Sequence, residues 1–313
     1  MPLRFDLAIC VALVSPFAIL PARAQERGAT DCPVPGDQEN AEASATKYLR
    51  LRYDEAEQPQ SLETAIVRFV PTGPEHAGVT VDLIAAVHIG ERDYYDELNR
   101  QFEKYDALLY ELVAPEGTRV PKGGGRSRHV LSLLQDGMKN MLELESQLAH
   151  VDYERENFVH ADMSPEEFAR SMRARNENVF TIFTRMLRQS MAAQAKNPSR
   201  TSDVDLLRAL FDKDRAWTLK RVMAEQFEDL ETSMKAFEGP EGSTLIAERN
   251  KVALSVLAEQ LELGKKRLGI FYGAGHMNGM ERRLVAEFPF RRDSQRWLVA
   301  WDLRAPEPAD AEP

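Results

Sequence analysis

Cysteine is nearly missing from this chain. Of 313 residues only Cys10 and Cys32 carry thiols, and Cys10 lies inside an apolar leader. A disulfide framework and a cysteine-rich zinc site are both excluded on that count. An excess of basic residues is also missing. The formal net charge of −10 argues against nucleic acid or an anionic membrane as the main partner. No apolar run reaches the roughly 20 residues a membrane-spanning helix needs. There is no H-E-x-x-H pair, and the run Gly123-Gly-Gly125 lacks the spacing and lysine of a phosphate loop. No repeat of solenoid length occurs.

What is present begins with a leader. Met1 to Ala24 has a positive start at Arg4, an apolar stretch from Leu7 to Leu20 broken by Pro16, and Ala22-Arg-Ala24 as a small-x-small cleavage site. This order predicts a cleavable signal peptide and hence a periplasmic or secreted protein. Residues 25–42 are polar and loop-like. Residues 43–304 are expected to form one α/β domain, with a helical insertion at about 126–239 and a disordered tail at 305–313.

The chain is organised around residues 79–111. Val79 to Val87 is apolar and β-prone and ends in His88; Arg92 to Tyr105 has helical spacing; Ala107 to Tyr110 is apolar again and ends in Glu111. Strand, amphipathic helix and strand make a β-α-β unit, whose strands are buried on both faces of a parallel sheet. Ligands of such sheets sit beyond the carboxyl ends of the strands, where His88 and Glu111 both fall. The arrangement recurs at Arg267 to Tyr272, followed by Gly273-Ala-Gly-His276 and a helix. Thr64 to Val70 reads as a strand joined through Pro71-Thr-Gly-Pro74 to the strand at Val79 in an antiparallel hairpin. Ala43 to Tyr53 fits a helix or a strand.

From Arg126 to Gly239 the spacing is mostly helical, over 126–147, 165–196, 203–215 and 216–238. One strand, Phe158 to His160, interrupts it and leads to Asp162. Ser164, Pro165 and Glu167 then form a capping box. Ser243 to Leu263 is a further helix stopped by Gly264, and Ser294 to Leu303 a closing strand. The expected fold is therefore α/β: a mixed, mainly parallel sheet with flanking helices and a helical cap.

Ala85-Ala-Val-His88, Glu111, the triplet Glu248-Arg-Asn250 and Gly273-Ala-Gly-His276 together resemble the motifs of the TraB/PrgY/GumN family, to which the TIKI proteases belong. The resemblance runs from about Ala65 to Leu303. It departs from the family at the first G-x-x-H motif, where Ala85 takes the glycine position. It implies a metal-dependent hydrolase, most plausibly a peptidase, with His88, Glu111 and His276 as ligands of a divalent metal (manganese, cobalt or zinc). Two neutral imidazoles and a carboxylate suit such an ion and leave a position for water.

The other candidate roles stay open at this point. Asp162 fits a metal ligand, a general base or an orienter of a histidine. Arg249 and Asn250 fit the binding of a substrate carboxylate or an oxyanion, although Glu248 and Arg249 fit a helix-surface ion pair equally well. Gly273 and Gly275 allow a backbone N–H to approach a ligand at a helix start. Tyr94 lies at the opening of the first helix, placed for substrate contact or for packing. The partner expected is a peptide or small-molecule substrate, with a homodimer left open. The alternative to the enzyme is a non-catalytic protein that sequesters a peptide or small ligand.

Overall fold

The computed structural model describes residues 48–115, 117–118, 142, 144–177, 214–228 and 243–306. In chain order, strands β1 (Leu49–Tyr53), β2 (Pro59–Pro71), β3 (Thr80–Ala86) and β4 (Ile89–Gly90) precede helix α1 (Arg92–Phe102). Strands β5 (Ala107–Tyr110) and β6 (Glu145–Ser146), the short helix α2 (Gln147–His150) and β7 (Phe158–His160) follow. Then come α3 (Pro165–Ala174), α4 (Arg215–Glu228), α5 (Arg249–Glu262), β8 (Arg267–Gly273), α6 (Ala274–Glu287) and β9 (Phe290–Asp302).

Seven strands make one sheet, and β4 with β6 makes a two-stranded ribbon beside it. β3, β8, β5 and β7 are mutually parallel neighbours in that order. β1, β3 and β9 all run antiparallel to β2. Six strands therefore run one way and β2 alone runs against them, so the fold is α/β with a mixed, mostly parallel sheet. β9 covers residues 61–71 of β2, so β1 and β3 must share its other edge end to end.

Burial explains the order. β3, β5 and β8 are buried along nearly their whole length, as expected of parallel strands covered on both faces. Tyr95, Leu98 and Phe102 of α1 are buried in the same core as Leu83, Ile84, Leu109 and Ile270. The packing is tight at Gly269, where an added Cβ would lie 2.7 Å from Leu108 Cδ1 and 3.1 Å from Ile84 Cδ1. β9 is exposed from Arg291 to Gln295. Charge on such an edge discourages pairing with another chain. Near the start of β3 the buried Asp82 is closed off by Arg68, with both contacts at 2.8 Å, and by the Tyr105 hydroxyl at 2.8 Å. Ser164 and Glu167 form both halves of the expected capping box at α3.

Some expectations shift. Of the stretch from Ala43 to Tyr53, residues 43–47 lie outside the described residues and Leu49–Tyr53 is a strand, with Leu49 and Leu51 buried where they pair with β2. The helix expected over 126–147 gives way at Glu145–Ser146 to β6, which pairs with β4, and a short helix begins at Gln147; most of 126–143 lies outside the described residues. The signal peptide, the polar segment, the Gly123 loop, most of the helical insertion and residues 307–313 of the tail lie outside the described residues. Among the described residues no helix is long and apolar enough to cross a membrane.

Candidate active site

Register brings the candidate residues to one rim. Ala86 pairs with Gly273 between β3 and β8, so His88 and His276 leave the sheet side by side. Tyr110 pairs with Phe271 on one side and with His160 on the other. Glu111 and Asp162 therefore emerge next to them. All four lie beyond the carboxyl ends of parallel strands.

The fifth and sixth members come from α5. The turn before it, Thr244–Glu248, is a π-helix in which the Glu248 N–H reaches Ser243 O at 3.1 Å. Such wide turns are common at functional sites. Here Arg249 and Asn250 both face the rim and are buried, while Glu248 turns toward Arg175 at 3.2 Å and Lys251 at 3.0 Å. The ion pair between Glu248 and Arg249 does not form.

Arg249 lies between two carboxylates. Its Nε donates to Asp162 Oδ1 at 2.9 Å, and its Nη2 donates to Asp162 Oδ2 at 2.6 Å and to Glu111 Oε1 at 2.7 Å. The other Glu111 oxygen accepts the Gly273 N–H at 2.7 Å. Burial would raise the Glu111 pKa, but the Arg249 charge, with His276, His88 and the Gly273 N–H behind it, outweighs burial and holds the carboxyl well below the usual range. Glu111 is therefore ionised. Asp162 also takes the Met163 N–H at 2.8 Å. Its contacts make it the holder of Arg249 rather than of either histidine. Three Arg249 contacts go to these carboxylates, so the geometry favours charge balance inside the site over a substrate clamp.

Asn250 fixes the state of His276. Its Nδ2 donates to the His276 backbone oxygen at 3.0 Å, which leaves Oδ1 facing His276 Nδ1 at 2.7 Å. Nδ1 must then carry the ring proton, and Nε2 holds a lone pair. That Nε2 faces Glu111 Oε1 at 3.7 Å. Burial lowers the His276 pKa to about 4, so the ring is neutral at pH 7.

His88 is half-buried and burial lowers its pKa too. Its backbone is pinned from several sides. The Gln147 N–H donates to His88 O at 2.9 Å, the Tyr95 hydroxyl to Val87 O at 3.1 Å, and the Trp301 indole to Ile89 O at 2.8 Å. Ala85 is fully buried, and its carbonyl accepts from the Tyr94 hydroxyl at 3.3 Å.

Gly273 makes the close backbone approach expected of it, but to Glu111; its φ of −52° is open to any residue. Gly275 lies in the first turn of α6, half-buried. Tyr94 packs, with its hydroxyl also 3.1 Å from Thr64 Oγ1, and takes no part in the cluster. It lines instead a surface hollow of about 1230 Å³ between the start of α1, α4 and β9. His160 stands at the end of a strand as well, which the sequence did not single out, but its Nε2 lies 2.6 Å from Leu112 O.

Two residues absent from the sequence reading belong to this neighbourhood. Gln147 is buried and donates through Nε2 to the Tyr153 hydroxyl at 2.7 Å. Tyr153 is buried, and its pKa is raised by burial and by the nearby Glu111 charge. No local spacing marks either of them; they reach the rim only through the pairing of β4 with β6. Among the described residues no group of three His, Cys, Asp or Glu side chains is arranged to hold a metal ion. The fold and rim thus define an α/β protein with a buried His/Glu/Arg/Asp/Asn cluster at the strand ends. No family model matches this chain, and no curated protein or solved structure with significant similarity was found.

Proposed function

We propose that the rim cluster is the centre of a hydrolase acting on peptide amide bonds, and that His276 and Glu111 would hold a divalent cation there. One observation carries this reading: the His276 Nε2 lone pair and the anionic Glu111 Oε1 face each other at 3.7 Å. Arg249 meets Oε1 from its own side at 2.7 Å; toward His276 the two acceptors favour sharing a proton, a cation or a water hydrogen. With a pKa near 4, His276 does not supply the proton at pH 7. A neutral imidazole and an ionised carboxylate are also the protonation states that metal ligation requires.

The donors in place fit such an ion with two ligands, His276 and Glu111. His88, the third ligand implied by the family resemblance, does not join them in a three-donor group. When bound, a divalent ion would lower the pKa of its water toward neutrality and polarise a carbonyl. The chain's own residues do the rest. Asn250 keeps Nε2 unprotonated, the Gly273 N–H orients Glu111, and Arg249, held by Asp162, offsets part of the negative charge. The second reading, a non-catalytic binder of a peptide or small ligand, is favoured by the missing third donor and by the engagement of Arg249 with carboxylates.

The test is to strip the full chain with a chelator, titrate it calorimetrically with Mn²⁺, Co²⁺ and Zn²⁺ separately, and assay a defined peptide mixture by mass spectrometry. Stoichiometric binding of one of these ions with cleavage is expected, and His276→Ala and Glu111→Gln should each lose both. His76→Ala, whose ring stacks on Phe290, should lose neither. Metal retention without cleavage would select the binding protein. Undiminished binding by His276→Ala would refute the site.

A further inference from the structure

We propose that Gln147 is the positioning residue of His88: its side-chain carbonyl takes one imidazole N–H, which leaves the other ring nitrogen's lone pair for the Glu111 side of the rim. The geometry begins with the backbone. β4 and β6 pair Ile89 with Ser146, and the next residue, Gln147, donates its N–H to His88 O at 2.9 Å. Residues 88 and 147 are thereby locked together, although they lie 59 positions apart in sequence. Continued by one residue, the β4–β6 register sets Gln147 opposite His88, the placement that brings two side chains onto one face of a strand pair, and Gln147 is 7 % exposed.

Polarity then decides which end of the amide faces the ring. Nε2 is committed to the Tyr153 hydroxyl at 2.7 Å, so Oε1 is the end left over. Oε1 is buried and accepts no hydrogen bond. A buried acceptor left without a donor is costly, and an imidazole N–H beside it is the donor that removes the cost.

The arrangement repeats the one at His276. There the Asn250 NH2 group is spent on a backbone carbonyl, and the carbonyl end fixes the ring proton on Nδ1. Each imidazole of the rim thus has its own carboxamide, and each carboxamide is oriented by a second hydrogen bond. Partners of this kind fix the tautomer of a histidine and aim its lone pair. The amide also links the rim to Tyr153, whose oxygen accepts from Nε2, so its hydroxyl hydrogen points away from Gln147.

Only the purpose of the His88 lone pair rests on the hydrolytic reading. The position of the proton does not, and the experiment reads the proton. Full-length protein labelled with ¹⁵N-histidine is stripped of metal, and imidazole nitrogen shifts are recorded at pH 7.5. His88 signals are assigned by their loss in His88→Gln. In the wild type, His88 is expected as a single neutral tautomer, with one nitrogen protonated and the other not. Gln147→Leu should turn it into a tautomer mixture, with averaged shifts for both nitrogens, while the His276 signals stay in place. Gln147→Glu keeps an acceptor in position and loses the NH2 group, and it should retain the wild-type tautomer.

Wild-type His88 shifts in folded Gln147→Leu would overturn the proposal. If Gln147→Leu fails to fold, Gln147→Glu decides. A switch of His88 to the opposite tautomer would show that the NH2 end faces the ring, which also overturns it. A protein that cleaves no peptide would leave this result intact and count only against the hydrolase reading.

Discussion

Arg249→Met removes the positive charge between Glu111 and Asp162 and keeps most of the apolar stem. The guanidinium contacts these carboxylates at 2.9, 2.6 and 2.7 Å, and the two residues are only 8 % and 6 % exposed. Breaking a buried pair by removing one partner costs about 3–5 kcal/mol. Here one cation serves two carboxylates, which places the loss toward the upper end. At about 2–4 °C per kcal/mol for a domain of this size, Tm at pH 7 should fall by roughly 6–20 °C. The pH dependence supplies the sharper check. In the wild type the folded pKa of Glu111 is depressed, so its stabilisation is full above the unfolded value of about 4.3 and is lost as pH falls through the folded value. Without Arg249, burial dominates and raises the folded pKa. The carboxyl then stabilises at low pH and loses that contribution as pH rises. The gap between variant and wild type should therefore shrink as pH falls from 7 toward about 4. Thermal unfolding followed by circular dichroism on metal-stripped protein, at pH 7 and pH 4, measures both. A loss below about 1 kcal/mol at pH 7, or an equal loss at both pH values, would refute the reasoning.

His276 gives a slope of its own. Its folded pKa of about 4 lies below the unfolded value of about 6.5, so its contribution is full above about pH 6.5 and is lost as pH falls toward 4. Chemical denaturation of the stripped protein between pH 7.5 and 4.5 should lose roughly 2–3 kcal/mol from this group. His276→Gln should flatten the curve by that amount, and an unchanged slope would show that the ring is not buried neutral. The leader predicts export: N-terminal sequencing of native protein should begin near Gln25, and intact Met1 on cytoplasmic protein would contradict it.

The parallel strands were legible because burial on both faces writes itself as continuous apolar runs. Val79–Val87, Ala107–Tyr110 and Leu268–Tyr272 coincide with β3, β5 and β8 to within a residue or two at each end. The α3 capping box was legible because its hydrogen bonds are local. β6 was not, since two residues paired to a strand 55 to 57 positions away carry no periodicity of their own. The same holds for the end-to-end placement of β1 and β3 on one edge of β2.

For the site, the sequence by itself determined where each group leaves the sheet. A histidine or carboxylate that closes an apolar run lies at a strand end whatever the topology, and parallel strands put those ends on one rim. Only the tertiary structure decided how the groups are used. It assigned Arg249 to Asp162 and Glu111 instead of to a substrate, gave Asn250 to His276, turned Glu248 outward and brought Gln147 beside His88. These assignments depend on distances between residues 26 to 138 positions apart. A hydrogen bond is satisfied by whichever partner the fold delivers, and the order of residues along a chain does not say which partner that is.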